Sequence, residues 1–281
     1  MLIGIVPPHP SLETALMHFM VLSLDACHYY LPASLSPAIS LIVKGGTKAL
    51  SGPEQSSAIP RLCISGTFLG PRQAVSEPES LVLAVLFRPG YLQTSLSIAP
   101  SDIVGRDLDL RGFMDTHKVD LLFEALDTAT SIPQYLEIFQ NFLMSVFQPA
   151  PKKNIAETFL QAHQKMFFPL IELAIYFGIG RRQLERRVLE VFGVSLRDVR
   201  RLSRWGFCVE RLVNKCIAHG SLTRIAHDSG YFDQAHMTRE FVELAGIAPL
   251  ALLRKVSGDD PSYWAYRIKG QDYKDLFIPV N

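Results

Sequence analysis

Hydrophobic positions along the chain follow two periods, and the change from one to the other divides the sequence. Between residues 15 and 115 apolar residues come in short runs: Phe19–Leu24, Ile39–Val43, Leu62–Ser65 and Leu81–Phe87. Breaks containing glycine or proline separate them, at Gly45-Gly46, Ser51-Gly52-Pro53, Leu69-Gly70-Pro71 and Arg88-Pro89-Gly90. Such runs predict β-strands, and short strands at this spacing predict a small barrel or sandwich. Over 118–147 the period becomes helical. Tyr135, Phe139, Phe142, Leu143 and Val146 recur at i, i+4, i+7, i+8 and i+11, and Pro133 suits a helix start. This stripe either packs on the β-rich unit or pairs two chains.

From 170 to 250 the helical pattern is written twice. The first copy reads Leu173-Ala174, Gly178-Ile179-Gly180, Leu184, Val188, Gly193; the second reads Ile225-Ala226, Gly230-Tyr231-Phe232-Asp233, Met237, Phe241, Gly246. The offset is 52 residues at the alanines and 53 at the core pairs, so the second turn is one residue longer. Small Ala174 and Ala226 let two helices approach closely. Gly178 and Gly230 suit the left-handed turn between them. Asp233 is a good N-cap, and Gly180 a weaker one. Leu184/Val188 and Met237/Phe241 bury one face of each second helix and leave the other face free. Helix, tight turn and half-buried helix together make a helix-turn-helix, whose second helix reads a DNA major groove.

Charge follows the same division. The chain is +1 overall, but residues 1–150 hold 8 Lys+Arg against 13 Asp+Glu, and residues 151–281 hold 20 against 14. Residues 181–204 alone carry eight arginines (181, 182, 186, 187, 197, 200, 201 and 204) against Glu185, Glu190 and Asp198. A basic half hidden under a neutral total is the electrostatic footprint of a DNA binder.

Residues 155–255 resemble the AraC/XylS-type DNA-binding domain. The second copy carries the signature, with Ile225-Ala226, Gly230-Tyr231, Asp233-Gln234, Arg239, Phe241, Gly246 and Pro249 at matching positions; Gly180, Val188 and Ala235 depart from the family pattern. The chain thus reads as α+β. An N-terminal small β-barrel or cupin-like domain with helices spans 1–148, β-rich to about 115 and helical over 118–147. An all-α domain of two helix-turn-helix units joined by a long helix spans 152–256, and an aromatic tail follows at 257–281. Gln148-Pro149-Ala150-Pro151 reads as the linker. The cupin-like reading rests mainly on domain order, since a sensor domain of that kind precedes this DNA-binding domain in many relatives.

The first recognition helix is expected from about Arg181 to Phe192, with Arg182, Glu185 and Arg186 on one face opposite Leu184 and Val188. Arg182 and Arg186 can read guanine, and Glu185 can accept from cytosine or pair with Arg181 or Arg182. Arg181 suits phosphate. The second is expected from about Gln234 to Leu244, presenting Gln234, Ala235, His236, Thr238 and Arg239. The resemblance implies that Ala235, His236 and Arg239 face bases, and Gln234 suits a phosphate at the helix N-terminus. Leu196 to Ala218 reads as one spacer helix, which Gly206 can kink. About 20 residues give ~30 Å, near the ~34 Å turn of B-DNA, so the two readers can enter successive major grooves.

Arg61, Arg72 and Arg88 stand out in the acidic half as candidates for a small anionic effector, against surface ion pairing as the alternative. His9, His18 and His28 are scattered, so no metal is expected, and no cofactor. Cys27, Cys63, Cys208 and Cys216 lack metal-ligand spacing and read as reduced thiols in a cytoplasmic protein. Residues 1–6 lack a basic region and stop at Pro7-Pro8, so no signal peptide is expected, and no apolar run is long enough to span a membrane. Three function classes follow. The first is a one-component transcription regulator controlled by an effector at the N-terminal domain. Its partners would be double-stranded DNA, a second copy of the chain and, for an activator, RNA polymerase. The second is an effector-independent DNA-binding regulator whose N-terminal domain serves dimerisation or protein contacts. The third, a DNA-repair alkyl transferase, needs an activated cysteine. Cys27 and Cys63 lack the flanking residues for that, so no enzyme is expected.

Overall fold

The computed structural model describes residues 2–24, 28–51, 55–88, 90–147, 169–214 and 221–267. The linker at 148–151, Cys27, Cys216 and Ile217 lie outside them.

The strands are β1 (Leu2–Val6), β2 (Leu16–Leu24), β3 (His28–Leu31), β4 (Ala38–Lys44), β5 (Thr47–Leu50), β6 (Ser56–Ala58), β7 (Leu62–Ser65), β8 (Arg72–Ser76), β9 (Ser80–Phe87) and β10 (Asp107–Asp109). They form two open antiparallel sheets, ordered β1-β2-β9-β4-β7-β10 and β3-β8-β5-β6. The architecture is therefore a sandwich and not a closed barrel. All four apolar runs of the sequence are in the first sheet. Register pairs Val21 with Leu83 and Leu83 with Leu41, placing β9 at the centre. Both faces of that centre are buried. Phe19, Val21, Ile39, Leu41, Leu83 and Val85 face one hydrophobic cluster; Met20, Leu22, Leu24, Ile42, Val82 and Ala84 face another. Burial on both sides is why these strands read as continuous apolar runs.

The first face is covered by helices. After α1 (Tyr91–Leu96), α2 (Thr116–Thr128) and α3 (Ile132–Val146) divide the region expected as helical. The break falls at Ser131, where a capping box with Gln134 starts α3 and Pro133 sits in its first turn. The aromatic stripe packs on the sheet: Phe139 meets Phe19 edge-on at 5.6 Å, and Phe147 stacks on Phe87 at 5.5 Å.

The C-terminal half holds α4 (Leu170–Tyr176), α5 (Arg181–Phe192), α6 (Leu196–Asn214), α7 (Ser221–Asp228), α8 (Gln234–Ala245) and α9 (Pro249–Ser257). The repeat is visible bond by bond. Ile179 N donates to Ala174 O at 3.0 Å, and Tyr231 N to Ala226 O at 2.9 Å; Gly193 N and Gly246 N each close a recognition helix at 2.8 Å. Gly178 and Gly230 adopt φ of 63° and 80°. Spacer α6 runs unbroken through Gly206 for 19 residues. Trp205 on its inner face meets Phe241 of α8 at 6.1 Å.

The two halves share a core. One continuous cluster contains Met20, Leu22 and Ala84 of the sheet, Leu184 and Val188 of the first reader, and Met237 and Phe241 of the second. The tail joins it. Residues Pro261–Arg267 form a 3-10 segment against β3, with Tyr263 stacked on Tyr30 at 4.8 Å and Trp264 6.3 Å from Tyr29. Tyr273 and Phe277 lie outside the described residues.

Burial pushes the thiols of Cys63 and Cys208 up to about 12. Thiolate is the reactive form, so both are inert near neutral pH. With Cys27 and Cys216 replaced by serine, native protein at pH 8 is expected to show no fast thiol with an aromatic disulfide reagent. Two thiols should react only after unfolding, and fast reaction of either would contradict the packing.

Candidate functional site

Each recognition helix is two-sided. On α5, Leu184, Val188 and Phe192 are buried, while Arg181, Arg182, Glu185 and Arg186 are exposed. Arg186 lies 3.5 Å from Glu190 in an exposed i,i+4 pair, and Glu185 makes no ion pair among the described residues. Gly180 has no side chain to cap α5, whereas Asp233 accepts from His236 N at 2.6 Å and caps α8. On α8, Met237, Phe241 and Leu244 are buried, and Gln234, Ala235 and Arg239 are exposed. Two expected readers are engaged within the protein. The Thr238 hydroxyl donates to Gln234 O at 2.8 Å, and His236 lies edge-on to Tyr231 at 5.3 Å with Nε2 4.0 Å from Glu240. The Gln234 amide oxygen accepts from the Thr223 hydroxyl of α7 at 3.2 Å, which ties the start of α8 to its partner helix.

The two readers flank one cleft of about 610 Å³. Glu185 enters it from α5, and His236 and Arg239 from α8. Its floor is Arg197, Arg200, Arg201 and Arg204 of α6. These arginines repeat at i, i+3, i+4 and i+7, a spacing that makes one helix face basic. Sequence reasoning counted their charge without giving them a place, although this spacing was the available signal.

Glu240 was also missed. It is 8 % exposed on the inner side of α8. Arg204 meets its carboxylate with two nitrogens, at 2.9 and 3.2 Å, and Arg201 approaches it at 3.5 Å while also pairing with Glu243. Burial pulls the Arg204 guanidinium down, but its hydrogen bond and charge pairing with Glu240 outweigh that and raise it. Arg204 also lies 4.8 Å over the Tyr231 ring. This network fastens α8 to the spacer.

The C-terminal ends of both readers rest on the sandwich. The Thr67 hydroxyl lies 3.2 Å from Phe192 O and 3.0 Å from Leu35 O and shares its one proton between them, and Ala33 N donates to Leu244 O at 3.1 Å. The backbone of Pro100 lies against Gly193, and the Pro71 ring against Gly246. The spacing of the readers is thus set by the sandwich as well as by α6.

A second concavity, of about 160 Å³, lies between the sheets. Its lining is mostly apolar, including Met20, Leu22, Ile42, Val82, Ala84 and Leu86. Ser36 Oγ, Thr47 Oγ1, Arg72 Nε and Trp264 Nε1 also belong to residues lining it, and these four atoms are buried without a partner among the described residues. Each such group costs about 1–3 kcal/mol unless something pairs with it. Of the three arginines singled out in the sequence, only Arg72 lines this cavity. It lies 3.0 Å from Asp107, which also accepts from Ser65 at 2.5 Å, and it sits 3.7 Å over the Phe68 ring. Arg61 lies 3.9 Å from Asp127 and 4.5 Å over Phe123, and Arg88 Nε donates to Glu13 O and Leu16 O; neither lines the cavity. Among the described residues no group of three or more His, Cys, Asp or Glu could hold a metal, and no helix is long and apolar enough to cross a membrane.

Residues 173–255 match the family described as a helix-turn-helix domain. No curated protein matches the chain. Among solved structures, an apo variant of ToxT from Vibrio cholerae is 13 % identical with a TM-score of 0.46, over 88 % of this chain and 98 % of that one. ToxT from Vibrio cholerae with an unsaturated fatty acid bound is 16 % identical with a TM-score of 0.46, over 86 % and 95 %. The AraC-like transcriptional activator CuxR is 11 % identical with a TM-score of 0.27, over 61 % and 69 %. The family match, the signature of the second copy and the repeated geometry coincide on the same residues. Over residues 173–255 this chain is an AraC-type double helix-turn-helix domain, the DNA-binding part of a transcription regulator.

Proposed function

We propose that the protein is a one-component regulator that places α5 and α8 in successive major grooves and senses a small molecule in the sandwich cavity. The observation that carries the DNA geometry is the single cleft with a basic floor. Spacer α6 has 19 residues, about 28 Å at ~1.5 Å each, close to one ~34 Å turn of B-DNA. The strand between two grooves passes over this floor, where Arg197 and Arg200 neutralise its phosphates, while Arg201 and Arg204 are held by Glu240 and Glu243. Arg182, Glu185 and Arg186 read bases from α5, and Ala235 and Arg239 from α8. Arg181 and Gln234 contact phosphate. His236 reaches DNA from the cleft beside Arg239, and Thr238 is tied to Gln234 O within α8. Arg186→Ala is expected to cost about 1–3 kcal/mol on the selected site and little on scrambled DNA. Competition binding at fixed salt checks this; an equal loss on both DNAs would reduce Arg186 to a phosphate contact.

The effector reading is supported by the polar atoms left unpaired in an otherwise apolar cavity. Two loops connect that cavity to the readers. Ser34, Ser36, Gly66 and Arg72 line it, and Ala33, Thr67 and Pro71 beside them touch the ends of α5 and α8. A ligand changes DNA affinity only through different affinities for two arrangements of these parts. The test is DNA binding in the presence of a metabolite extract. A shift that disappears in Ala84→Met, which fills the cavity, supports the effector reading. DNA binding indifferent to every extract and to Ala84→Met would leave an effector-independent regulator. The raised Cys63 thiol argues against the alkyl-transfer alternative.

A further inference from the structure

The cavity is walled in part by a segment that follows the DNA-binding domain. Trp264 and Ala265, from Pro261–Arg267, line it together with strands of both sheets. The segment is held at each end. Lys255 of α9 pairs with Asp260 at 3.1 Å, and Asp260 accepts from Ser262 N at 2.9 Å, so the chain turns directly from α9 into the 3-10 segment. Tyr263 then stacks on Tyr30 of β3, and Tyr266 is fully buried. Trp264 is 6 % exposed, and its indole N–H has no partner among the described residues.

We propose that Trp264 is a ligand-binding residue of the effector site, donating its indole N–H to the bound molecule, so that the segment following α9 senses occupancy directly. This rests on the effector reading of the cavity. The unpaired groups define the ligand class. Arg72 Nε and Trp264 Nε1 can only donate, while Ser36 and Thr47 hydroxyls can donate or accept. The ligand is therefore compact, largely apolar and equipped with a hydrogen-bond acceptor. An apolar cavity of about 150 Å³ accommodates benzene. A single ring with one acceptor group fits this one, of about 160 Å³.

The test uses full-length protein labelled with 5-fluorotryptophan, whose two tryptophans give two fluorine resonances assigned through Trp264→Phe or, if that variant does not fold, Trp205→Phe. The probes are benzyl alcohol, which carries an acceptor, and toluene, which does not. Benzyl alcohol is expected to move the Trp264 resonance, and Trp264→Phe should weaken it about tenfold, the equivalent of ~1.4 kcal/mol, while changing toluene much less. Binding abolished by Ala84→Met, with the Trp264 resonance unmoved and Trp264→Phe binding normally, would overturn the role of the tail and leave the cavity reading intact. No binding of either probe at millimolar concentration would overturn both.

Discussion

Replacing Glu240 with alanine is expected to lower stability by about 3 kcal/mol, the low end of the cost of removing one partner from a buried ion pair. The side chain is 9 % exposed, and the two arginines that face it are 20 and 26 % exposed. Those arginines are long enough to turn partly toward solvent, which keeps the cost below that of full burial. Arg204 loses a contact made by two of its nitrogens, and Arg201 keeps only exposed Glu243. Glu240→Gln keeps an acceptor and should cost roughly half as much. For a chain of this size ~3 kcal/mol lowers Tm by about 5 °C. Urea unfolding with a matched m-value checks it, and a change below ~0.5 kcal/mol would mean that the network is incidental. The variant should also lose DNA affinity, since α8 is then held to the spacer by apolar packing and the exposed Arg201–Glu243 pair only.

The repeat supplies its own control for the contact between sandwich and readers. Gly193 and Gly246 both have φ of 71°, so alanine at either position is strained by about 1–2 kcal/mol. Their neighbours differ. A Cβ on Gly193 would sit 2.6 Å from the carbonyl carbon of Pro100 and 2.8 Å from Ser101 N, both backbone atoms. A Cβ on Gly246 would meet Pro71 Cγ at 3.3 Å, a ring edge that can give. Gly193→Ala is therefore expected to cost about 2 kcal/mol more than Gly246→Ala, the price of overpacking against immovable atoms. It should also push α5 off the segment Pro100–Ile103. Paired thermal melts read the first effect. Hydrogen exchange at residues 101–103 reads the second, which should be faster only in Gly193→Ala. Equal costs would mean that α5 is not held there.

What the sequence made legible follows its periods. The helix-turn-helix pairs, the caps at Ser131 and Asp233 and the bounds of α5 are local, set by residues within a turn or two of each other. Four of the six strands of the first sheet, β2, β4, β7 and β9, were legible because both of their faces are buried. The second sheet was not. His28–Leu31, Thr47–Leu50, Ser56–Ala58 and Arg72–Ser76 are short and largely polar, and they are strands only because they pair with one another. Asp107–Asp109 is a strand by its pairing with β7. The long-range features were invisible for the same reason. Nothing near Glu240 in sequence announces Arg204, and nothing near Arg72 announces Asp107. Arg61, Arg72 and Arg88 looked alike as charges in an acidic half, yet folding spends one on Phe123, one on Asp107 and Phe68, and one on backbone carbonyls. The exposed residues of α5 follow directly from helical spacing. His236 faces the cleft as that spacing implies, but its edge contact with Tyr231 and its approach to Glu240 could not be read from the spacing.

The most direct test of two readers on one DNA face is a hydroxyl-radical footprint of full-length protein on a site selected from random DNA. It is to be repeated with about half a turn, ~5 base pairs, inserted between the protected segments. Two protected segments one turn apart are expected. The insertion should abolish protection of one of them and weaken binding by at least about 100-fold, the loss of roughly two good base contacts. A single protected segment, unaffected by the insertion, would contradict the account.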